Sequence, residues 1–285
     1  MIARLCIVGV GLIGGSLARA LKAAGAVGEV IGYGRDPAQL QLAQELGVID
    51  RAETDIAAAL QGADVVLVAV PVGAMEGVLR AMAPHLAADT IVTDVGSTKG
   101  SVVAAAQRVF GAVPARFVPG HPIAGTEQSG VAASSAELYH KRRVILTPLA
   151  HTDAAAVATV RALWQAAGAE VVEMEVRHHD EVLAATSHLP HVLAYTLVDT
   201  LARMEEHTEI FRYAAGGFRD FTRIASSDPR MWHDICLANR DAILKVMDRY
   251  AAELAEVRGA IERGDGAALL ATFGRAKKAR DEFKQ

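Results

Sequence analysis

The chain has 285 residues, of which 52% are hydrophobic and 22% are charged, and its formal net charge is -4. This length suits one large domain or two ordinary ones, and the composition excludes a disordered or collagen-like protein. Because the charge balance is acidic, no basic field is available for a polyphosphate backbone, and nucleic acid is not expected as a partner.

The cysteines and the apolar runs bear on the compartment. Only Cys6 and Cys236 occur, too few for a disulfide framework and in keeping with a reducing cytoplasm. The longest uncharged apolar runs, such as residues 65–70, fall far short of the roughly 20 residues that a membrane span needs. We therefore expect a cytoplasmic protein that has no membrane partner.

The first part of the chain alternates short apolar runs with helix-like segments. Continuous β-branched and apolar runs are typical of strands buried on both faces of a sheet. The pattern predicts helices at residues 12–24, 37–46, 100–109 and 153–167, and strands at residues 5–8, 30–33, 65–70, 91–93, 117–118, 144–147 and 171–174. This alternation predicts an α/β fold, with a Rossmann-type doubly wound parallel sheet over residues 1–175.

From residue 176 onward the β-branched runs give way to helical spacing. Leucines at positions 183, 189, 193, 197 and 201 recur with the period of one helix face. We therefore expect an all-α domain over residues 176–285. Its many apolar stripe positions favour pairing with a second copy, so this domain is predicted to join a homodimer.

A glycine-rich turn follows the first predicted strand. Residues 9–14 read Gly-Val-Gly-Leu-Ile-Gly and lead directly into a predicted helix. In such a G-x-G-x-x-G turn the first glycine permits the bend, the second admits a pyrophosphate, and the third lets helix and strand pack closely. The residues predicted to bind a dinucleotide are Gly9, Gly11, Leu12, Ile13, Gly14 and Arg35.

The end of the second predicted strand bears on which dinucleotide is bound. NAD-binding proteins place an Asp or Glu about 20 residues after the glycines, where it binds the ribose hydroxyls. This sequence has Gly34 there, followed by Arg35, which suits a 2′-phosphate, and by Asp36-Pro37, which suits a helix N-terminus. The pattern favours NADP and leaves NAD open.

Four further segments resemble the prephenate/arogenate dehydrogenase family of tyrosine biosynthesis. They are DVGSTKG at 94–100, GHPIAGTEQSG at 120–130, SHLPH at 187–191 and GGFRDFTRIA at 216–225. The resemblance runs from the glycine turn to Trp232. It implies an NAD(P)-dependent oxidative decarboxylation of prephenate, arogenate or both. Hydride leaves the ring carbon that bears the hydroxyl, and loss of the ring carboxylate as CO2 makes the ring aromatic.

The resemblance implies catalytic roles for two residues. His121 matches the family's histidine that hydrogen-bonds and polarises the substrate hydroxyl, and Ser97 matches a serine that assists there. The residues themselves agree, because His121 follows a predicted strand and a neutral imidazole can accept a hydroxyl proton. The sequence leaves Ser97 open between this role and a place in a turn or helix N-cap.

The resemblance also implies a substrate site for a small dicarboxylate. His191 and Arg223 match residues that hold the substrate, Glu127 matches one that gates or orders the pocket, and Trp232 matches a tryptophan supplied by a partner subunit. Because apolar residues flank Arg223, we expect it to need a carboxylate, provided by the substrate or by an internal residue such as Asp220.

Two other readings compete with this one. A β-hydroxyacid or imine-type dehydrogenase shares the two-domain layout but normally needs a lysine on the helical domain, and residues 182–201 contain none. A non-catalytic NADP-sensing protein would need the glycine turn but not the combination of His121, His191 and Arg223. Spacing of His188 and His191 places both on one helix face, yet no third ligand follows, so no metal is predicted.

Overall fold

The computed structural model describes residues 2–283, and its largest feature is a six-stranded parallel sheet. The strand order is β3-β2-β1-β4-β5-β6. The strands are β1 (Ile2–Val8), β2 (Val27–Tyr33), β3 (Arg51–Glu53), β4 (Val65–Val68), β5 (Ile91–Asp94) and β6 (Phe117–Val118). The order reverses between β1 and β4, which confirms the predicted doubly wound Rossmann topology.

Helices cover both faces of this sheet. They are α1 (Leu12–Ala23), α2 (Pro37–Glu45), α3 (Ile56–Leu60), α4 (Met75–Met82), α5 (Lys99–Phe110) and α6 (Ala154–Ala166). Side chains of β1 alternate between two cores: Leu5 and Ile7 enter the core that includes α1 and α6, whereas Cys6 and Val8 enter the one that includes α4 and α5. Burial on both faces explains why these strands are continuously apolar.

A second, three-stranded sheet follows β6. It consists of β7 (Gly120–Pro122), β8 (Arg143–Leu146) and β9 (Glu170–Glu173), with β7 antiparallel to β8 and β9 parallel to β8. The expectation that residues 144–147 and 171–174 continue the parallel sheet is therefore wrong. Only Pro119 separates β6 from β7, and a parallel neighbour would need a crossover of about a dozen residues.

Every element described after residue 175 is helical, as predicted. These are α7 (Val176–Leu183), a π-helical turn (Ala184–His188), α8 (Leu189–Ala202), α9 (His207–Arg212), α10 (Gly216–Thr222), a 3-10 turn (Arg223–Ser226), α11 (Pro229–Ala238), α12 (Arg240–Glu262) and α13 (Gly266–Phe283). The chain forms two compact units, Met1–Arg240 and Asp241–Gln285. Within residues 2–283, the helices lack the combination of length and apolar character that crossing a bilayer requires.

Candidate active site

The glycine turn between β1 and α1 has room for a ligand. Gly9 has a φ of 99°, and a Cβ there would lie 2.4 Å from the carbonyl oxygen of Ala69. A Cβ on Gly14 would lie 2.6 Å from the Gly9 carbonyl oxygen, whereas one on Gly11 would meet no described atom within 4 Å. Gly11 is also the N-cap of α1 and brings no side chain to it. The open backbone and free helix N-terminus fit a pyrophosphate.

The carboxyl end of β2 presents a cation rather than a carboxylate. Gly34 follows directly on this strand, and the Arg35 side chain is exposed. The carboxylate of Asp36 accepts hydrogen bonds from the first turn of α2, so this residue is the helix cap that the sequence predicts. Of the two charged residues that follow Gly34, Asp36 caps α2, whereas Arg35 takes no part in capping this helix.

His121 lies in β7, just beyond the carboxyl end of β6, and contacts a second histidine. Its Nδ1 atom lies 2.9 Å from Nε2 of His179. Nδ1 of His179 lies 2.8 Å from a carboxylate oxygen of Asp180, and the His179 side chain is fully buried. Three side chains from β7 and α7 thus form one hydrogen-bonded row.

Asp180 also closes the N-terminus of α5. One carboxylate oxygen accepts the backbone N–H of Lys99 at 2.7 Å, and the other accepts that of Gly100 at 2.8 Å. Burial raises the pKa of the Asp180 carboxyl, but the hydrogen bonds from His179 and these two N–H groups outweigh burial and lower the pKa overall. The residue is therefore an anion at neutral pH.

This arrangement settles one of the alternatives for Ser97. The N-cap of α5 is Thr98, and the free N–H groups of the first turn are bonded to Asp180. Ser97 lies in the half-buried turn between β5 and the helix. The N-cap role for Ser97 is therefore wrong, because a carboxylate from α7 closes this helix end.

A buried ion pair ties β7 to the end of β5. Nζ of Lys99 lies 2.5 Å from a carboxylate oxygen of Asp94 and 2.6 Å from the carbonyl oxygen of Gly120, and both charged side chains are fully buried. Asp94 accepts a further hydrogen bond from the N–H of Gly120. Because Gly120 precedes His121, this pair fixes the backbone that carries the catalytic candidate.

His121 is neutral at physiological pH. Burial has the largest effect and lowers its pKa well below the usual value, and electrostatic interactions with His179, Lys99 and His188 lower it further. A neutral imidazole has one nitrogen that donates and one that accepts a hydrogen bond. His121 is thus able to accept a proton from a hydroxyl group.

Asn239 joins Asp180 to a further histidine. Its amide donates to the backbone carbonyl of Asp180 at 2.8 Å and lies 3.1 Å from Nδ1 of His188. Burial is the main cause that lowers the pKa of His188 to about 4, so the folded protein holds this ring neutral. The described residues contain no group of three or more side chains placed to hold a metal ion.

His191 and Trp232 are brought together by α8 and α11. Their rings stack with centroids 3.6 Å apart, and the tryptophan also contacts the edge of His188. His191 bonds through Nδ1 to the carbonyl oxygen of Ser187 at 2.8 Å. These contacts lie within one chain, and the expectation that a partner subunit supplies the tryptophan stays a prediction.

Arg223 forms an ion pair with Glu127. Arg223 thus has the carboxylate partner that the sequence predicts, but the partner is Glu127 rather than Asp220, and the Arg223 side chain is 63% exposed. The turn that begins at Arg223 packs against α8, the helix that carries His191. The solvent-exposed pair therefore lies next to the helix that carries His191.

Four of the residues that build this site do not stand out in the sequence. His179 and Asp180 belong to the run His178-His179-Asp180 near the start of α7, and Lys99 belongs to a segment that first indicates a turn. Asn239 gives no signal at all. The titratable run in α7 was the available clue, but only the fold shows which of its members face His121.

Two family models together match most of the chain. The model for the prephenate dehydrogenase nucleotide-binding domain matches residues 17–173, and the model for the prephenate dehydrogenase dimerization domain matches residues 175–275. A cyclohexadienyl dehydrogenase from Zymomonas mobilis is 45% identical over 283 residues, which cover 98% of this chain and 96% of the relative. A prephenate dehydrogenase from Bacillus subtilis is 40% identical, covering 97% of this chain and 75% of the relative.

A solved structure supports the same relationship. Prephenate dehydrogenase from A. aeolicus, crystallised with hydroxyphenyl propionate and NAD+, superimposes with a TM-score of 0.93 at 38% identity, and the match covers 99% of each chain. Sequence and fold therefore agree along the whole chain.

Proposed function

This chain belongs to the prephenate dehydrogenase family, and we propose that it oxidatively decarboxylates prephenate, arogenate or both in tyrosine biosynthesis. The nicotinamide, when bound, accepts the hydride from the ring carbon that bears the hydroxyl. The observation that carries the proposal is a neutral histidine, His121, held at the carboxyl edge of a sheet whose first turn is open for a dinucleotide.

His121 is proposed to polarise the substrate hydroxyl, with Ser97 as a second hydrogen-bonding group. As hydride leaves, the hydroxyl proton is shared with the accepting nitrogen of the imidazole. When CO2 departs and the ring becomes aromatic, the proton returns to the oxygen of the phenol. The histidine therefore acts as a base only while the barrier is crossed, and it regains its starting form without release of a proton.

The remaining predicted residues are proposed to hold a dicarboxylate substrate. Arg223 is the exposed cation that a carboxylate can reach, and an arginine binds carboxylate oxygens in a forked geometry. The stacked rings of His191 and Trp232 lie on α8 and α11, and the turn that begins at Arg223 packs against α8. Glu127 pairs with this guanidinium, which suits a residue that orders or gates the pocket.

For the cofactor we propose NADP, with NAD as the alternative to be compared. Support comes from the absence of a side chain at Gly34 and from the exposed guanidinium of Arg35 beside it. The glycine turn itself serves either dinucleotide equally, because it contacts the pyrophosphate that both share.

The direct experiment incubates the purified protein with prephenate or arogenate and with NAD or NADP. Reduced cofactor, released CO2 and the aromatic product are measured together, and a β-hydroxyacid serves as the competing substrate class. We expect aromatic product and CO2 in equal amounts. Binding of a dinucleotide without turnover of either cyclohexadienol would refute the proposal, and oxidation of the β-hydroxyacid alone would favour the alternative dehydrogenase.

Replacing His121 by asparagine tests the role of the imidazole. His121→Asn keeps a polar group but cannot take up a proton, so kcat should fall by roughly 100-fold or more while the substrate still binds. Because the pKa of His121 is lowered, the loss of activity on acidification should occur well below pH 6.5 in the unaltered enzyme and be absent in the variant. Retention of that acid limb in the variant would move the base elsewhere, with His191 the next candidate.

We also propose a homodimer formed mainly by residues after 176. The family model that matches residues 175–275 describes a dimerization domain. Several apolar side chains of the unit Asp241–Gln285 are more than half exposed in the single chain, namely Leu254, Ile261, Leu270 and Phe273. Such a surface is typical of an interface between subunits. A fully active monomer in light scattering at micromolar concentration would contradict the proposed homodimer.

The cytoplasmic location expected from the sequence stays a prediction.

A further inference from the structure

The row of side chains behind His121 determines which of its nitrogens carries a proton. Asp180 is an anion, so its oxygen only accepts, and Nδ1 of His179 must carry the hydrogen of the 2.8 Å contact. In neutral His179 the other nitrogen, Nε2, is then an acceptor. The 2.9 Å contact with His121 therefore requires a proton on Nδ1 of His121.

We infer that His179, oriented by Asp180, is a positioning residue that holds His121 in the Nδ1–H tautomer with Nε2 free to accept the substrate hydroxyl. The inference rests on the proposed function, because it names how that function's base is prepared. No hydrogen bond to Nε2 of His121 occurs among the described residues, so this nitrogen is available to a ligand. An isolated imidazole would populate both tautomers and would present a donor to the hydroxyl for part of the time.

Burial makes this control effective. His179 is fully buried, and water cannot replace either of its hydrogen bonds. Asp180 cannot turn away either, because both of its carboxylate oxygens accept backbone N–H groups from the first turn of α5. The orientation of His179 is thus fixed by a helix end that belongs to the dinucleotide-binding part of the fold.

The same row also favours charge on His121 in the transition state. While the hydroxyl proton is shared with Nε2 of His121, the imidazole becomes partly positive, and its Nδ1–H bond to His179 strengthens. Asp180 lies directly behind His179 and supplies the opposite charge in a buried setting, where electrostatic attraction is strong. No net proton transfer is needed, since the proton returns to the oxygen when the ring becomes aromatic.

The test compares two replacements of His179 with a neighbouring control. His179→Gln offers a carbonyl oxygen that can still accept from Nδ1–H of His121, whereas His179→Leu offers none. His178→Leu alters the adjacent, exposed histidine and serves as the control. Nitrogen-15 NMR of histidine-labelled protein, with the His121 signals identified by their loss in His121→Asn, reports the tautomer without substrate, and steady-state kinetics report kcat and KM.

We expect the Nδ1–H tautomer for His121 in the unaltered protein and in His179→Gln, and a shift toward Nε2–H in His179→Leu. kcat should fall by about 10- to 100-fold in His179→Leu with KM changed less than about threefold, while His179→Gln and His178→Leu stay close to the unaltered enzyme. An Nε2–H tautomer in the unaltered protein, or a His179→Leu enzyme with full kcat, would overturn the inference.

Two other results are equally decisive. A His179→Gln enzyme as impaired as His179→Leu would overturn the positioning role and leave His179 as a packing residue. If His179→Leu does not fold, the inference is still tested by two measurements, the tautomer of His121 in the unaltered protein and the activity of His179→Gln. A protein that shows the Nδ1–H tautomer but turns over neither cyclohexadienol would refute the proposed function and not the arrangement of the histidines.

Discussion

Replacing Arg223 by alanine separates a substrate-binding role from a structural one. The guanidinium pairs with Glu127, and the two side chains are 63% and 33% exposed. A pair this exposed contributes only about 0 to 1 kcal/mol to stability, because water and salt screen it. Removal of Arg223 should therefore change the free energy of unfolding by less than about 1 kcal/mol.

Substrate binding should respond far more strongly. Hydrogen bonds to charged groups contribute about 1.5 to 3 kcal/mol each, and a forked contact with a carboxylate makes two of them. Displacement of Glu127 offsets part of this gain, so we expect a loss of about 2 to 4 kcal/mol. At about 1.4 kcal/mol per factor of ten, kcat/KM falls by roughly 30- to 700-fold, mainly through KM.

The assay measures kcat, KM, cofactor affinity and thermal stability for Arg223→Ala, with Arg212→Ala as a control at another exposed arginine. Only KM for the cyclohexadienol should change markedly. Glu127→Gln removes the competing carboxylate and should leave KM unchanged or lower it by up to about fivefold. Loss of folding or of cofactor binding in Arg223→Ala, or an unchanged KM, would show that the guanidinium serves Glu127 rather than the substrate.

Two further predictions concern the cofactor and acid stability. The unaltered enzyme should have a higher kcat/KM with NADP than with NAD. Gly34→Asp/Arg35→Ala should reverse this preference, because it supplies a carboxylate for the ribose hydroxyls and removes the cation, and a Cβ at Gly34 would lie at an ordinary contact distance of 3.4 Å from Leu40. Better use of NAD by the unaltered enzyme would show that Arg35 binds no phosphate. The pKa of His188 is lowered from 6.5 to about 4 on folding, so between these values the unfolded chain binds more protons and the free energy of unfolding falls as the pH falls. Protonation of His188 should lower the free energy of unfolding by up to about 3 kcal/mol between pH 7 and pH 4. In urea unfolding, the free energy of unfolding of His188→Gln should therefore depend less steeply on pH than that of the unaltered protein. Equal pH dependence of the two proteins would contradict the assignment of a buried neutral ring.

The sequence alone was sufficient for the Rossmann sheet and for the glycine turn. Strands buried on both faces must be apolar throughout, so β1, β4 and β5 are visible as short continuous runs. The glycines are visible because each answers a local steric need, as the 2.4 Å approach of a Cβ on Gly9 to Ala69 illustrates. Such features depend on residues close together in the chain or on a repeating period.

Sequence patterns were less informative where a residue's partner is distant. The apolar neighbours of Arg223 predicted that it needs a carboxylate and suggested the nearby Asp220, but its partner, Glu127, lies in the loop after β7. The prediction of which sheet β8 and β9 join was wrong for a related reason. Their composition resembles that of the strands in the parallel sheet, but the single residue between β6 and β7 directs the chain into a second sheet.

The surroundings of His121 were decided by the tertiary structure. His179 lies 58 residues from His121 in sequence, and Asp180 closes the end of a helix whose first N–H is 81 residues away. Hydrogen bonds over such separations have no period and no fixed spacing, so no local pattern encodes them. They form because packing of α7 against α5 buries a carboxylate and an imidazole that must then find partners, and the N-terminus of α5 and His121 supply them.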